Sequence, residues 1–258
     1  MRRLTILCCL IGFHCFSQEI KPHINAHAHN DYEHKRPLFD ALENGFTSVE
    51  ADIHLRNGKL VVDHTFATDQ SPLLEKLYLR PLDSLLTRNN GSIFSTAVES
   101  KNVFYFMLDI KTNAASTWQV LERVLKAYPA LCRASGPVRI FLSGNRPIQT
   151  ILKDGNTCIG IDGRPDDLGK DYTSLFMPVI SDNFRNWSYW NGKSAPADND
   201  LAQIRELAQR VHSEGKKLRL WSIPDHSIAW ESLLNSGVDY INTDRLEELN
   251  VFLSRKGL

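Results

Sequence analysis

The stretch Glu50-Ala51-Asp52-Ile53-His54-Leu55-Arg56-Asn57-Gly58-Lys59-Leu60-Val61-Val62-Asp63-His64 decides the fold class. It reads as a strand, a glycine turn and a second short extended piece. Successive side chains of a strand point to opposite faces, so Glu50 and Asp52 share one face while Val49, Ala51 and Ile53 take the other. Two carboxylates converging inside a fold repel, or one takes up a proton, unless a cation lies between them. An isolated acid pair on a strand is more often a solvated face or a salt-bridge partner. The recurrence of further acids and histidines at successive strand ends favours a site.

On either side of this stretch, short β-type runs alternate with helical ones, the pattern of βα units around a parallel sheet. The strand candidates are 24–27, 48–55, 103–110, 138–142, 158–161, 178–181, 218–223 and 240–243. Helices are expected at 37–44, 73–87, 116–127, 147–153, 198–213, 228–235 and 246–254, with Pro37 and Pro147 in first turns. Gly45, Gly215 and Gly237 directly follow helical runs, where a left-handed cap belongs. Eight alternating units suit an α/β fold of the TIM type, a single-domain (β/α)8 barrel over residues 19–258. An open doubly wound sheet is the alternative, but no GxGxxG loop marks a nucleotide switch point.

In such a barrel the reacting groups close the C-terminal ends of the strands. The first candidate strand ends His27-Ala28-His29-Asn30-Asp31. The second carries Glu50 and Asp52, the short extended piece ends in His64, and the next strand ends Leu108-Asp109-Ile110-Lys111. Glu50, Asp52 and Asp109 form an all-carboxylate ligand set that suits Mg2+ or Ca2+ better than zinc. His27 and His64 are candidates for acid and base, and Lys111 for stabilising charge on a phosphoryl oxygen. Later strand ends offer Ser143, Arg146, Asp162, Arg164, Ser181 and Asp182. Arg146 and Arg164 are candidate holders of a second anionic group through a guanidinium fork, although helix caps and surface pairs use such arginines as often. Trp187, Tyr189 and Trp190 form an aromatic segment that fits a ligand or a packed loop.

A strand-one histidine, Glu-x-Asp, a second histidine and Asp-x-Lys, in that order, resemble the glycerophosphodiester phosphodiesterase and phosphatidylinositol phospholipase C-like superfamily. The resemblance covers most of the chain beyond its first residues. It is most specific from Glu50 to His64, and Leu108-Asp109-Ile110-Lys111 is similar to the sphingomyelinase D-like branch. Arg219-Leu220-Trp221 and Gly237 to Asp244 resemble the last two strands, which implies that Trp221 lines the substrate pocket. The resemblance implies a barrel phosphodiesterase in which His27, with His29 as the competing choice, and His64 act as acid and base. Water and a neighbouring substrate hydroxyl are both open as nucleophiles. The His-Arg-Gly and Pro-Glu-Asn signatures of typical glycerophosphodiesterases are missing, and the span from His64 to Asp109 is short for their inserted subdomain. A less characterised branch opening His-x-His-Asn-Asp-Tyr is the nearer fit.

Lys and Arg total 30, as do Asp and Glu, so no global field selects nucleic acid as a partner. Residues 1–18 read as a secretory signal peptide: Met1-Arg2-Arg3 and then an apolar run to Phe16, too short to span a membrane. The expected location is periplasmic or extracellular. Cys132 and Cys158 remain beyond this leader, free to pair in an oxidising compartment or to stay as buried thiols. The expected partner is a small phosphodiester or phospholipid substrate. Two other readings stand beside this one. His27-Ala28-His29 also resembles the zinc motif of amidohydrolase barrels, and an inactive exported ligand-binding barrel keeps the same core.

Overall fold

The computed structural model describes residues 20–95, 102–156 and 158–258, so the leader expected at residues 1–18 lies outside the described residues. The strands are β1 (His23–Ala28), β2 (Phe46–Arg56), β3 (Lys59–Val62), β4 (Phe104–Ile110), β5 (Val138–Gly144), β6 (Ile159–Gly163), β7 (Val179–Asn183), β8 (Lys217–Trp221) and β9 (Tyr240–Thr243). They are hydrogen-bonded in the order β1-β9-β8-β7-β6-β5-β4-β2-β3, and a further parallel pairing of β1 with β2 closes the ring. Eight strands run parallel in a closed barrel, and β3 folds back antiparallel on β2 as a flap. The closed (β/α)8 expectation holds.

The helices are α1 (Phe39–Glu43), α2 (Arg80–Arg88), α3 (Ala114–Leu125), α4 (Ile148–Asp154), α5 (Ala202–Ser213), α6 (Ser227–Asn235) and α7 (Leu246–Lys256). One turn of π-helix, Glu75–Leu79, leads into α2. Pro147 stands immediately before α4 and Pro37 before α1, each one or more positions earlier than expected. Gly45 has φ +75°, and a Cβ there would collide with the carbonyl oxygen of Lys21, so the turn into β2 admits no side chain.

The two faces of each strand divide the core. Residues such as Val49, Ala51, Ile53, Phe104, Phe106 and Leu108 point outward into the buried layer under the helices. Inside the barrel, Met107, Phe141, Val179 and Tyr240 pack with Tyr105 into a separate apolar plug. The rings of Tyr105 and Tyr240 meet edge-on at 5.8 Å. Above this plug the inward column turns polar: Ser48, Glu50, Asp52, Asp162, Ser181 and Arg219 are all buried. The plug thus floors a polar chamber at the C-terminal end of the barrel.

Cys132, between α3 and β5, and Cys158, beside the start of β6, form a disulfide with Cα atoms 5.1 Å apart and 26 residues of separation. Chain-entropy arguments assign a loop of that size about 3 kcal/mol of stabilisation. Reducing the bond, or making the C132S/C158S double variant, is expected to lower the urea midpoint by the equivalent of about 3 kcal/mol. An unchanged midpoint would show that the staple contributes nothing to the fold.

Candidate active site

Strand register builds the site. Asp52 is paired with Asp109 across β2 and β4, and Asp109 with Ser143 across β4 and β5, so three adjacent strands present polar groups at one height. One ligand oxygen from each of Glu50, Asp52 and Asp109 lies within 4.8 Å of the others. Gly144 has φ +65°, and a Cβ there would collide with Asp109 Oδ1, so the backbone after β5 cradles that carboxylate where no other residue fits.

The three acids are not equivalent. Arg219, buried on β8, donates from Nη2 to Glu50 Oε2 at 2.6 Å and from Nε to Asn242 Oδ1 at 2.9 Å. Burial alone would raise the Glu50 pKa, but Arg219 and then His27 hold it down at about 2. Asp52 is pushed up to about 6, chiefly by burial and then by the charges of Glu50 and Asp109, against the pull of Lys111. Burial also raises Asp109. Lys111 Nζ stands 3.1 Å from Asp52 and 3.3 Å from Asp109. Among the described residues both oxygens of Asp52, and Oδ1 of Asp109, are buried without a well-formed hydrogen bond, with the Lys111 ammonium and the Tyr32 hydroxyl the donor groups beside Asp52. Buried carboxylate oxygens that converge without hydrogen bonds are what a hard divalent cation satisfies. The donor set fits such an ion.

A cavity of about 280 Å³ opens above this cluster, lined by His29, Asn30, Glu50, Asp52, His64, Asp109, Lys111, Ser143, Arg164, Arg219 and Trp221. Most of the residues singled out from the sequence therefore converge. His27 does not line it. Its ring is fully buried, with Nδ1 2.7 Å from Ser48 Oγ and Nε2 3.3 Å from Glu50 Oε2. Burial, and next Arg219, lower its pKa to about 4, so the ring is neutral near pH 7. His29, two residues on, has its Nδ1 2.8 Å from Asp244 Oδ1. Burial works to lower the His29 pKa, but the hydrogen bond to Asp244 and the charges of Glu50 and Asp244 raise it overall. Of the two histidines left open by the sequence, His29 meets the cavity.

Arg146 also falls outside. Its Nη1 donates to the Asp162 carbonyl at 2.8 Å and to Asp167 Oδ2 at 2.9 Å, tying down the loop after β6. It is a structural pair and not a pocket residue. Trp187 donates to Asp182 and Trp190 to the Ser194 carbonyl, so the aromatic segment is a packed loop with Tyr189 alone exposed. Two lining residues escaped the sequence reading. Arg219 sits 169 positions from its partner Glu50, and Asn30 lies in the left-handed turn after β1 at φ 43°. The only signal for Arg219 was its two-residue spacing from Trp221. A wider groove of about 740 Å³ outside the mouth carries surface pairs, Arg36 with Asp40 and Glu43, and Arg245 with Glu248. The zinc-barrel alternative finds no support, because among the described residues the one cluster with metal-ligand spacing is all carboxylate and the two histidines of His-x-His take different partners.

A closed parallel barrel whose C-terminal mouth carries three converging acids, a lysine and two histidines fits a protein of the phosphodiesterase type. A model of the AIM6-like phosphodiesterase domain matches residues 14–157, and the chain belongs to that family. It is 27% identical to altered inheritance of mitochondria protein 6 of Eremothecium gossypii, over 88% of this chain and 68% of that one. The Arthroderma benhamiae homolog is 25% identical, over 86% and 81%. The Saccharomyces cerevisiae protein is 24% identical, over 89% and 70%. In structure the chain is similar to a glycerophosphodiester phosphodiesterase from Agrobacterium tumefaciens, with a TM-score of 0.52 over 90% of this chain and all of that one. At 14% identity that likeness shows the fold. Among the described residues no helix is long and apolar enough to cross a membrane.

The Asp52 shift has a sign that can be measured. Its folded pKa of about 6 exceeds its ordinary 3.8, so its contribution to metal-free stability is complete below pH 4 and is lost as pH rises through about 6. Asp31, also lifted to about 6 by burial, acts in the same direction. Without metal at pH 7, Asp52→Asn is therefore expected to be more stable than the parent, by on the order of 2 kcal/mol. It is also expected to bind Mg2+ or Ca2+ more weakly by calorimetry. A variant that melts below the parent in chelator would contradict a strained carboxylate cluster.

Proposed function

We propose that the chain is an exported, metal-dependent phosphodiesterase acting on a glycerophosphodiester or a phospholipid head group. The observation that carries this reading is the set of buried oxygens on Asp52 and Asp109 that lack a hydrogen bond, beside Glu50 and facing a cavity that also holds Lys111 and His29. A divalent cation held by Glu50, Asp52 and Asp109 would polarise the phosphoryl group. Lys111, fixed between Asp52 and Asp109, offers its ammonium to the charge that grows on the phosphoryl oxygens.

Proton transfer falls to His29 and His64. Asp244 holds Nδ1 of His29 and leaves Nε2 as the atom for exchange. His64 is exposed on the rim after β3, with Nδ1 3.1 Å from Thr65 Oγ1. One ring removes the proton of the attacking hydroxyl or water, and the other supplies a proton to the departing alkoxide. His27 acts below them, orienting Glu50 through the ring nitrogen it turns toward that carboxylate. Trp221, partly exposed at the end of β8, gives the leaving or retained alcohol an apolar wall. Export is supported by the charged start and apolar run of residues 1–18, and by the disulfide, which persists in oxidising compartments.

The purified chain, assayed with glycerophosphocholine, lysophospholipids and bis-p-nitrophenyl phosphate, is expected to turn over at least one of them with Mg2+ or Ca2+ and none with chelator. Asp52→Asn and His64→Ala abolish the activity. His29→Ala lowers kcat by about 100-fold or more, the usual worth of a general acid or base. No metal binding would sink the site, and full activity in His29→Ala would move the proton transfer elsewhere.

A further inference from the structure

Across the barrel from His29 the cavity wall is built differently. β6 is the fifth of the eight parallel strands, four away from β1 in either direction, and it ends in Asp162-Gly163-Arg164. Asp162 is wholly buried, yet each of its oxygens is met. Ser181 Oγ donates to Oδ1 at 2.6 Å, while Ser143 Oγ and Arg164 Nη1 donate to Oδ2, both at 2.7 Å. Nη1 of Arg164 also donates to the Gly163 carbonyl at 2.9 Å. One edge of the guanidinium is thereby locked. The other edge has a single described contact, a long 3.3 Å bond from Nη2 to Ser143 Oγ, and Arg164 and Ser143 both line the cavity.

A buried carboxylate with two serines is a costly way to hold one arginine unless its orientation matters. The free edge is a planar fork of N–H groups, the geometry that takes carboxylates and phosphates in pairs of bonds. It does not duplicate Lys111. That lysine stands against Asp52 and Asp109 on β2 and β4, whereas Arg164 is anchored to Asp162 on β6, two strands from β4, with its guanidinium reaching Ser143 on the intervening β5.

We infer that Arg164, with Ser143, forms a second anion subsite, so that the favoured substrate is a phosphodiester one of whose alcohols carries a further acidic group, a carboxylate or a phosphate. The inference rests on the phosphodiesterase reading above and narrows its substrate class. Arg164 sets specificity, and the scissile phosphoryl group stays with the carboxylate cluster and Lys111.

The test uses the metal-loaded chain and four compounds: glycerophosphoethanolamine and glycerophosphoglycerol without a second acid, glycerophosphoserine with a carboxylate, and glycerophosphoinositol 4-phosphate with a phosphate. Turnover and calorimetric binding are read side by side. The parent is expected to favour one of the last two by about 10- to 100-fold, the worth of a hydrogen bond to a charged group. Which of the two it favours separates carboxylate from phosphate. Arg164→Gln collapses that ratio. Arg164→Lys, which keeps a cation against Asp162 and so guards against misfolding, recovers it only in part. Tight, Arg164-dependent binding of a doubly acidic compound with no cleavage of any would retain the subsite and overturn the phosphodiesterase reading. Cleavage without discrimination, equal losses for all four compounds in the variants, or no binding of either doubly acidic compound would overturn the subsite.

Discussion

The interaction on which the site depends is the mutual repulsion of Glu50, Asp52 and Asp109, whose facing oxygens are held within 4.8 Å of one another by the strands that carry them. Backbone pairing of β2 with β4 fixes the two aspartates at the same height, and the backbone of Gly144 closes the space behind Asp109. The barrel offers only partial relief. Arg219 neutralises Glu50 from across the chamber, and Lys111 is shared between the two aspartates. The remaining imbalance appears as oxygens without hydrogen bonds and an Asp52 pKa near 6. A salt bridge or an apolar residue would be more stable there, and such a cluster fits the proposed cation.

The rest of the architecture keeps that cluster dry below and open above. The plug of Tyr105, Met107, Phe141, Val179 and Tyr240 excludes water from the lower barrel. Above it comes a layer of satisfied polar groups, His27 with Ser48 and Glu50, Arg219 with Asn242, and Asp162 with its serines. The Asp52 and Asp109 carboxylates and the exposed rim of His64 and Trp221 come last. The turn after β1 is set by a buried contact of its own: Asp31 Oδ2 accepts from the Leu38 amide at 2.6 Å and from Tyr78 OH at 2.8 Å. That clamp holds His29 and Asn30 at the mouth while forcing Leu38 to φ 65°. Strain in the turn is offset by two short bonds to a buried acid.

Much of this was legible in the sequence because it rests on local periodicity. The two-residue spacing of Glu50 with Asp52, and of Asp109 with Lys111, aims each pair inward whatever the rest of the chain does, and the apolar runs between glycine turns marked all eight barrel strands. What the sequence could not carry was depth and partnership. His27 and His29 share the same two-residue face, and only their height separates a ring sealed beneath Glu50 from one that meets the cavity. Arg146 and Arg164 both follow strand ends, but Arg146 turns to the Asp162 carbonyl and Asp167, leaving Arg164 the interior. The pairing of Glu50 with Arg219 closes the barrel across 169 residues, a relation that no local window contains.

Charge balance ties these pairings to the chemistry of the substrate. Glu50 is offset by Arg219 and Asp162 by Arg164, so neither pair adds net charge to the chamber. Asp52 and Asp109 share the single charge of Lys111, which leaves one negative charge over when both are ionised. A divalent cation, if held there as proposed, would convert that deficit into one positive charge, and a phosphodiester monoanion would then restore neutrality. A phosphomonoester dianion would leave the chamber with one net negative charge. A further acid on the substrate lies outside this balance. It must be met by directed hydrogen bonds at Arg164 near the open mouth, where solvent or an ammonium on the same molecule can offset its charge. On the proposed reading, the chamber would separate the recognition of the scissile group, by total charge, from the recognition of the alcohol it carries, by geometry.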